Sequence, residues 1–249
     1  MNLRASLLFA SLAGCFPLHA EEPLADLIAR LGTTADEGKG INEAEQELAK
    51  AIAPHNTAAA DLLLPLLKSD NKDVRQLAAY CLFELPAGSL LERHLPALTK
   101  ACREERGWLP HAIADIGSDA ALAFLAAEFR REPQTHAQID HALIHTAPRS
   151  VPHLLHELAV AEEGDTKFLE TLPALWPEMA ANAAAAVEPL LAMARDDAAP
   201  LFRRQCAIAS LGAIGPAAKA ALPPLKALAE ANPALADAVQ QAIQKLRDR

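Results

Sequence analysis

The chain has 249 residues, is 51% hydrophobic and only 4% aromatic, and carries a net charge of −9. That is enough apolar material for a large core, but one built from Ala, Leu, Ile and Val, which suits close helix-on-helix packing better than a β-sandwich. The acidic balance excludes nucleic acid as a general partner, because phosphate binding needs a basic stripe.

The first twenty residues stand apart. Met1 to Arg4 is short and positive, Ala5 to Phe16 is apolar, and Pro17 to Ala20 ends on a small residue. This is the pattern of a secretory signal peptide, with cleavage expected after Ala20 and residues 21–249 forming one mature domain. A second reading lies inside it. Leu12-Ala13-Gly14-Cys15 is similar to the lipobox of bacterial lipoproteins, in which Cys15 would be lipidated. The expected location is periplasmic or secreted, with a lipid-anchored envelope protein as the alternative. No run after residue 20 reaches 18 apolar residues, so no transmembrane span is expected in the mature chain.

Beyond the leader, a pattern recurs. Leu48 to Ile52, Leu82-Phe-Glu-Leu85-Pro86, Ile113-Ala-Asp-Ile116-Gly117, Leu143 to Pro148, Leu172-Pro-Ala-Leu175-Trp-Pro177 and Leu211-Gly-Ala-Ile214-Gly-Pro216 begin 34, 31, 30, 29 and 39 residues apart. Periods in this range mark helical repeats. A second pattern follows most of these: Leu64-Pro-Leu-Leu67, Leu95-Pro-Ala-Leu98, Val151-Pro-His-Leu154, Val187-Glu-Pro-Leu190 and Leu222-Pro-Pro-Leu225. Pro near a helix start removes an amide with few intrahelical partners, whereas Pro65, Pro189 and Pro224 fall later and predict kinks. Gly and Pro between the two patterns stop one helix and begin the next.

The spacing predicts seven helix pairs. First helices are expected near 22–33, 57–68, 88–102, 119–131, 150–162, 181–195 and 217–230. Second helices are expected near 41–53, 71–85, 106–116, 134–146, 165–176, 199–214 and 233–247. Gly32 to Gly40 is a long polar link, so the first pair is the least tied to the rest.

Asp73-Val-Arg-x-x-Ala78, Leu211-Gly-x-Ile-Gly-Pro and the Val/Leu-Pro-x-Leu stripes resemble HEAT repeats, especially the short type first noted in bilin lyases, over about residues 41–247. The resemblance implies an all-α, right-handed α-α superhelix of six to seven helix pairs, with the second helices lining a concave binding face. It says little of function, because the scaffold serves many tasks. One iron enzyme on this scaffold, deoxyhypusine hydroxylase, uses repeated His-Glu pairs. This chain has a single such pair, His156-Glu157, so that activity does not transfer.

Residues 135–157 hold His136, His141, His145, His153 and His156. His141 and His145 are four apart and share a helix face, a spacing that can hold a divalent ion, with Asp140 or Glu157 as carboxylate donors. A metal-binding scaffold built on the His136–His156 cluster is therefore one reading. Polar residues on a solvated face are the plainer one. Cys81, Cys102 and Cys206 lie in apolar helical stretches and read as buried small hydrophobes, with a Cys81–Cys102 bridge as the alternative. Trp108 and Trp176 fall in corresponding turn regions of two units and read as packing residues, with partner contact as the alternative. There is no nucleophile elbow, no phosphate-cradling glycine loop and no Cys-x-x-Cys pair.

No cofactor and no catalytic residue are expected, and the leading expectation is a non-enzymatic scaffold for a protein or peptide. The polar residues expected on the binding face are Arg75, His111, His136, Asp140, Lys167 and Arg204. A spacer between other envelope parts is a further alternative.

Overall fold

The structure is a computed structural model that describes residues 22–35, 41–133 and 137–248. The expected leader, with Cys15 and Ala20, and also His136 lie outside the described residues. The described chain is all-helical, with helices packed in sequence order like a repeat. Fourteen α-helices run α1 (Leu24–Thr34), α2 (Glu43–Ile52), α3 (Asn56–Leu63), α4 (Lys72–Phe83), α5 (Leu95–Glu104), α6 (Leu109–Ile116) and α7 (Asp119–Arg131). They continue as α8 (Ala137–His145), α9 (Val151–Val160), α10 (Thr166–Glu178), α11 (Val187–Arg195), α12 (Leu201–Ile214), α13 (Leu222–Ala231) and α14 (Ala236–Asp248).

Local chemistry sets the boundaries. Asn42 and Glu45 form a reciprocal cap on α2: the Glu45 amide donates to Asn42 Oδ1 at 3.0 Å and the Asn42 amide to Glu45 Oε2 at 2.8 Å. Asn71 caps α4 by accepting from the Asp73 amide at 2.8 Å. Pro occupies the first turn of α5, α6, α9 and α13. Gly117 ends α6 in the left-handed region at φ 66°, and Gly215 ends α12 at φ 73°.

The even-numbered helices pack one on the next from α2 to α14, and the odd-numbered helices form a second layer beside them. Leu and Ala fill the space between layers: Leu77, Leu82, Leu98, Ile113, Leu125, Leu143, Leu172, Leu190 and Leu211 are all fully buried. Each pair covers its neighbour's apolar face, so stability comes from within-pair and nearest-neighbour terms.

Polar clamps tie units together. Arg103 Nε donates to Glu128 at 2.8 Å, and Arg130 donates to Glu157 at 2.6 Å and to Asp165 at 2.9 Å. Arg106 binds Glu132 at 2.8 Å. Glu128 and Glu157 are buried, so each clamp offsets the desolvation of a carboxylate.

Some expectations need correction. Residues 88–91 are turn, so that first helix begins at a short 3-10 turn at Glu92 and becomes α-helical at Leu95. The expected kink at Pro65 is a switch to 3-10 geometry over Leu64–Lys68. Pro189 and Pro224 do not kink a helix. The chain runs in 3-10 turns through Ala180–Ala186 and Gly215–Ala221, and the α-helix restarts just before each proline, leaving it in the first turn. Pro177 does not stop α10, which continues to Glu178; its ring forfeits only the bond that Pro173 would accept. Cys81, Cys102 and Cys206 are free and buried, so the Cys81–Cys102 bridge is not formed, and burial raises each thiol to about 12.

The run Leu201–Ala231 is long and apolar enough to cross a membrane by composition, but 61% of its 18-residue apolar window is buried inside the fold. It is the core of the last three units, where α12 packs on α10, α11 and α14.

Candidate functional site

The exposed side of α4, α6 and α8 gathers the features that packing does not account for. On α4, Lys72, Gln76, Tyr80 and Phe83 recur at helical spacing. Tyr80 and Phe83 are half-buried, and their rings meet Trp108 at the start of α6. The Phe83 and Trp108 rings stack with centroids 5.1 Å apart and planes 21° apart, and Tyr80 meets Trp108 edge-on at 5.4 Å. His111, one turn further along α6, stands edge-on to Phe83 at 5.5 Å.

α8 adds the next unit. His141 and His145 are exposed, and their charges reach His111 across the α6–α8 contact. Burial first, and those two imidazoles second, hold His111 below the ordinary imidazole range. Asp140 is raised to about 6, chiefly by burial, with Glu178 adding and His141 opposing. His111 Nδ1 and Asp140 Oδ1 are both buried and lack a hydrogen-bond partner among the described residues.

A cleft of about 1090 Å³ opens at the N-terminal ends of α2, α4 and α6. Tyr80 and Trp108 form one wall, and Lys68, Lys72, Arg75 and Lys100 line it with Glu104 and Glu105. Burial, followed by the hydrogen bond to Glu84, raises the Tyr80 phenol to about 12, so it stays neutral.

The sequence-predicted residues divide. Arg75, His111 and Asp140 lie on or beside this surface. Arg75 is half-buried, donating from Nε to Glu105 at 2.6 Å and from Nη1 to the Ser69 carbonyl at 2.7 Å. Lys167 is exposed on α10 without an ion pair among the described residues. Arg204 does not present itself to a partner. It is 5% exposed, its Nε donates to the Ala194 carbonyl at 3.0 Å, and its Nη2 lies 2.9 Å from Asp197. Arg75 and Arg204 thus both bond the turn before their own helix.

The histidine run also divides, because the turn after α8 reverses the chain into the other layer. His153 and His156 lie on α9, with His153 Nε2 3.6 Å from Asp119. Glu157 is held by Arg130 and is no carboxylate donor for His141 and His145. Among the described residues no group of three His, Cys, Asp or Glu side chains is arranged to hold a metal ion. Tyr80 and Phe83 were not singled out by sequence reasoning. Their signal was the stripe shared with Lys72 and Gln76, which places them on the polar side of an apolar helix.

No family model matches the chain, and no curated protein is similar to it. Among solved structures, it is similar to the crystal structure of an engineered protein, Northeast Structural Genomics Consortium Target OR329. The two are 17% identical over 90% of this chain and 89% of that one, with a TM-score of 0.33, and at that score the likeness says nothing of function.

Proposed function

We propose that this chain is a HEAT-like, right-handed superhelix whose even-numbered helices line a concave face, and that it works as a non-enzymatic scaffold holding a protein or peptide partner. The observation that carries this reading is the half-exposed ring cluster of Tyr80, Phe83, Trp108 and His111 on two adjoining even helices. Aromatic side chains that lie on the surface of an Ala-Leu protein, with polar groups around them, have the composition of an interface anchor. Export belongs to the same proposal. The leader places the scaffold in the bacterial envelope, released after Ala20 or anchored through Cys15, and intact mass of the native protein separates the two.

A photo-crosslinking benzophenone side chain at Phe83 tests the reading, with the same group at exposed Glu188 on α11 as the control. In envelope extracts, Phe83 is expected to give a discrete adduct that Glu188 does not. Equal labelling at both positions, or none at Phe83, contradicts the scaffold reading.

A further inference from the structure

The cleft beside the ring cluster has a chemistry of its own. Four cations line it against two carboxylates, on a chain whose net charge is −9. Glu105 is engaged by Arg75 and by Gln76 at 3.2 Å. Lys68, Lys72 and Lys100 have no ion pair among the described residues, although the protein carries an excess of acids that could neutralise them. Retaining three unpaired lysines around one concavity leaves a positive potential that a surface of opposite overall sign does not cancel.

The wall between the lysines is apolar. Tyr80 and Trp108 present their rings to the cleft while Arg75 is pinned at its edge. At about 1090 Å³ the space stands at the upper end of what a drug-sized ligand fills, so it suits a longer ligand.

Resting on the scaffold reading above, we infer that this cleft takes an acidic peptide segment, its carboxylates on Lys68, Lys72 and Lys100 and an apolar or aromatic side chain on the Tyr80–Trp108 shelf. Carboxylates meet the lysines as screened point charges, and the shelf supplies the desolvated anchor. Nucleic acid is disfavoured, because its continuous phosphate charge meets the acidic remainder of the surface.

The test is a selection of random 12-residue peptides displayed on phage against the full chain, followed by fluorescence anisotropy of the selected peptides. The expected peptides are enriched in Asp and Glu next to an aromatic residue or Leu. Their affinity is expected to fall by about tenfold or more in the Lys72→Glu, Lys100→Glu double variant and by a similar factor in Trp108→Ala, and to weaken with salt. A cooperative thermal transition, unchanged in the lysine double variant and lowered by only about 2–4 °C in Trp108→Ala, shows that the variants are folded. Three outcomes overturn the inference: no selected peptides, peptides without acidic bias, or peptides that bind the double variant equally. Preferential binding of inorganic phosphate or phosphatidylglycerol vesicles through the same lysines also overturns it. If any of these is seen while the Phe83 adduct persists in the double variant, the cleft assignment fails and the scaffold reading stands. If the adduct is also absent, both fail.

Discussion

Two tryptophans expected in corresponding turns instead stand at opposite ends of two even-numbered helices, Trp108 at the start of α6 and Trp176 in the last turn of α10, and have opposite surroundings. Trp176 on α10 is fully buried in the stack, with its indole nitrogen unpaired among the described residues. Trp108 at the start of α6 is half-buried against Tyr80 and Phe83 beside an open cleft. α12 packs closely on α10 and on α14, where Gly212 lies against Ala242. Around Trp108 the side chains are aromatic and cationic and border the cleft. One repeat therefore serves two ends: the C-terminal units invest their apolar residues in each other, and the α4–α6–α8 units leave some facing outward.

The largest expected effect tests that contrast directly. Trp176→Ala should lower unfolding free energy by about 3–5 kcal/mol, the range for a buried aromatic truncated in a packed core. Trp108→Ala should cost about 1 kcal/mol, the value of a partly exposed ring pair. Urea unfolding of both variants measures the difference, and equal losses would erase the distinction between the two regions.

The clamps sharpen the comparison next. Arg130→Met leaves Glu157 buried without its guanidinium and should cost about 2 kcal/mol, less than for a fully enclosed pair because Arg130 is itself partly exposed. Replacing Glu157 by Leu in the same chain should recover most of that loss. A double variant as unstable as the single would assign the effect to packing of the arginine stem.

Glycine gives a smaller effect with a sign. A Cβ on Gly212 would meet the Ala242 Cα at 2.7 Å, where α12 crosses α14, whereas at Gly32 in α1 it meets nothing within 4 Å. Gly212→Ala should destabilise by about 1–2 kcal/mol, even though Ala favours the helix. Gly32→Ala should stabilise by about 0.5–1 kcal/mol. Two changes of the same sign would show that close approach at α12–α14 is not what that glycine provides.

The smallest effect depends on pH. Asp140 titrates near 3.8 when unfolded and about 6 when folded, so the folded state holds its proton longer. Its ionisation therefore destabilises the fold as pH rises from 4 to 6, and fully so above 6. Asp140→Asn should stabilise by about 1 kcal/mol at pH 7, after allowance for solvent screening, and should give no gain below pH 4. His111 runs the other way, since its lowered value makes acidification below 6.5 unfavourable. A gain for Asp140→Asn that is equal at pH 4 and pH 7 would mean that charge is not its cause.

Much of the architecture was legible because the repeat uses strong punctuation. Leu211 to Pro216 announces a helix end through Gly215, and Val151-Pro-x-Leu announces a start, since both rest on backbone geometry that few other residues satisfy. Where the signal failed, geometry was shared between two options. Ala180–Ala186 has no residue that separates a 3-10 turn from an α-turn, so the position of Pro189 in its helix could not be fixed. The site was legible only in part. His111 and Asp140 drew attention as polar residues on a second helix. Tyr80 and Phe83 did not, because a single aromatic in an apolar helix reads as core until the neighbouring helix is placed. His141 and His153 looked adjacent in sequence, but the turn after α8 sends them to different layers.

The most direct measurement is hydroxyl-radical footprinting of the full chain with and without its captured partner. Protection confined to Tyr80, Phe83 and Trp108, with Phe202 on α12 unchanged, is the predicted result. Protection centred on α12 and α14, with Trp108 as reactive as before, would contradict it.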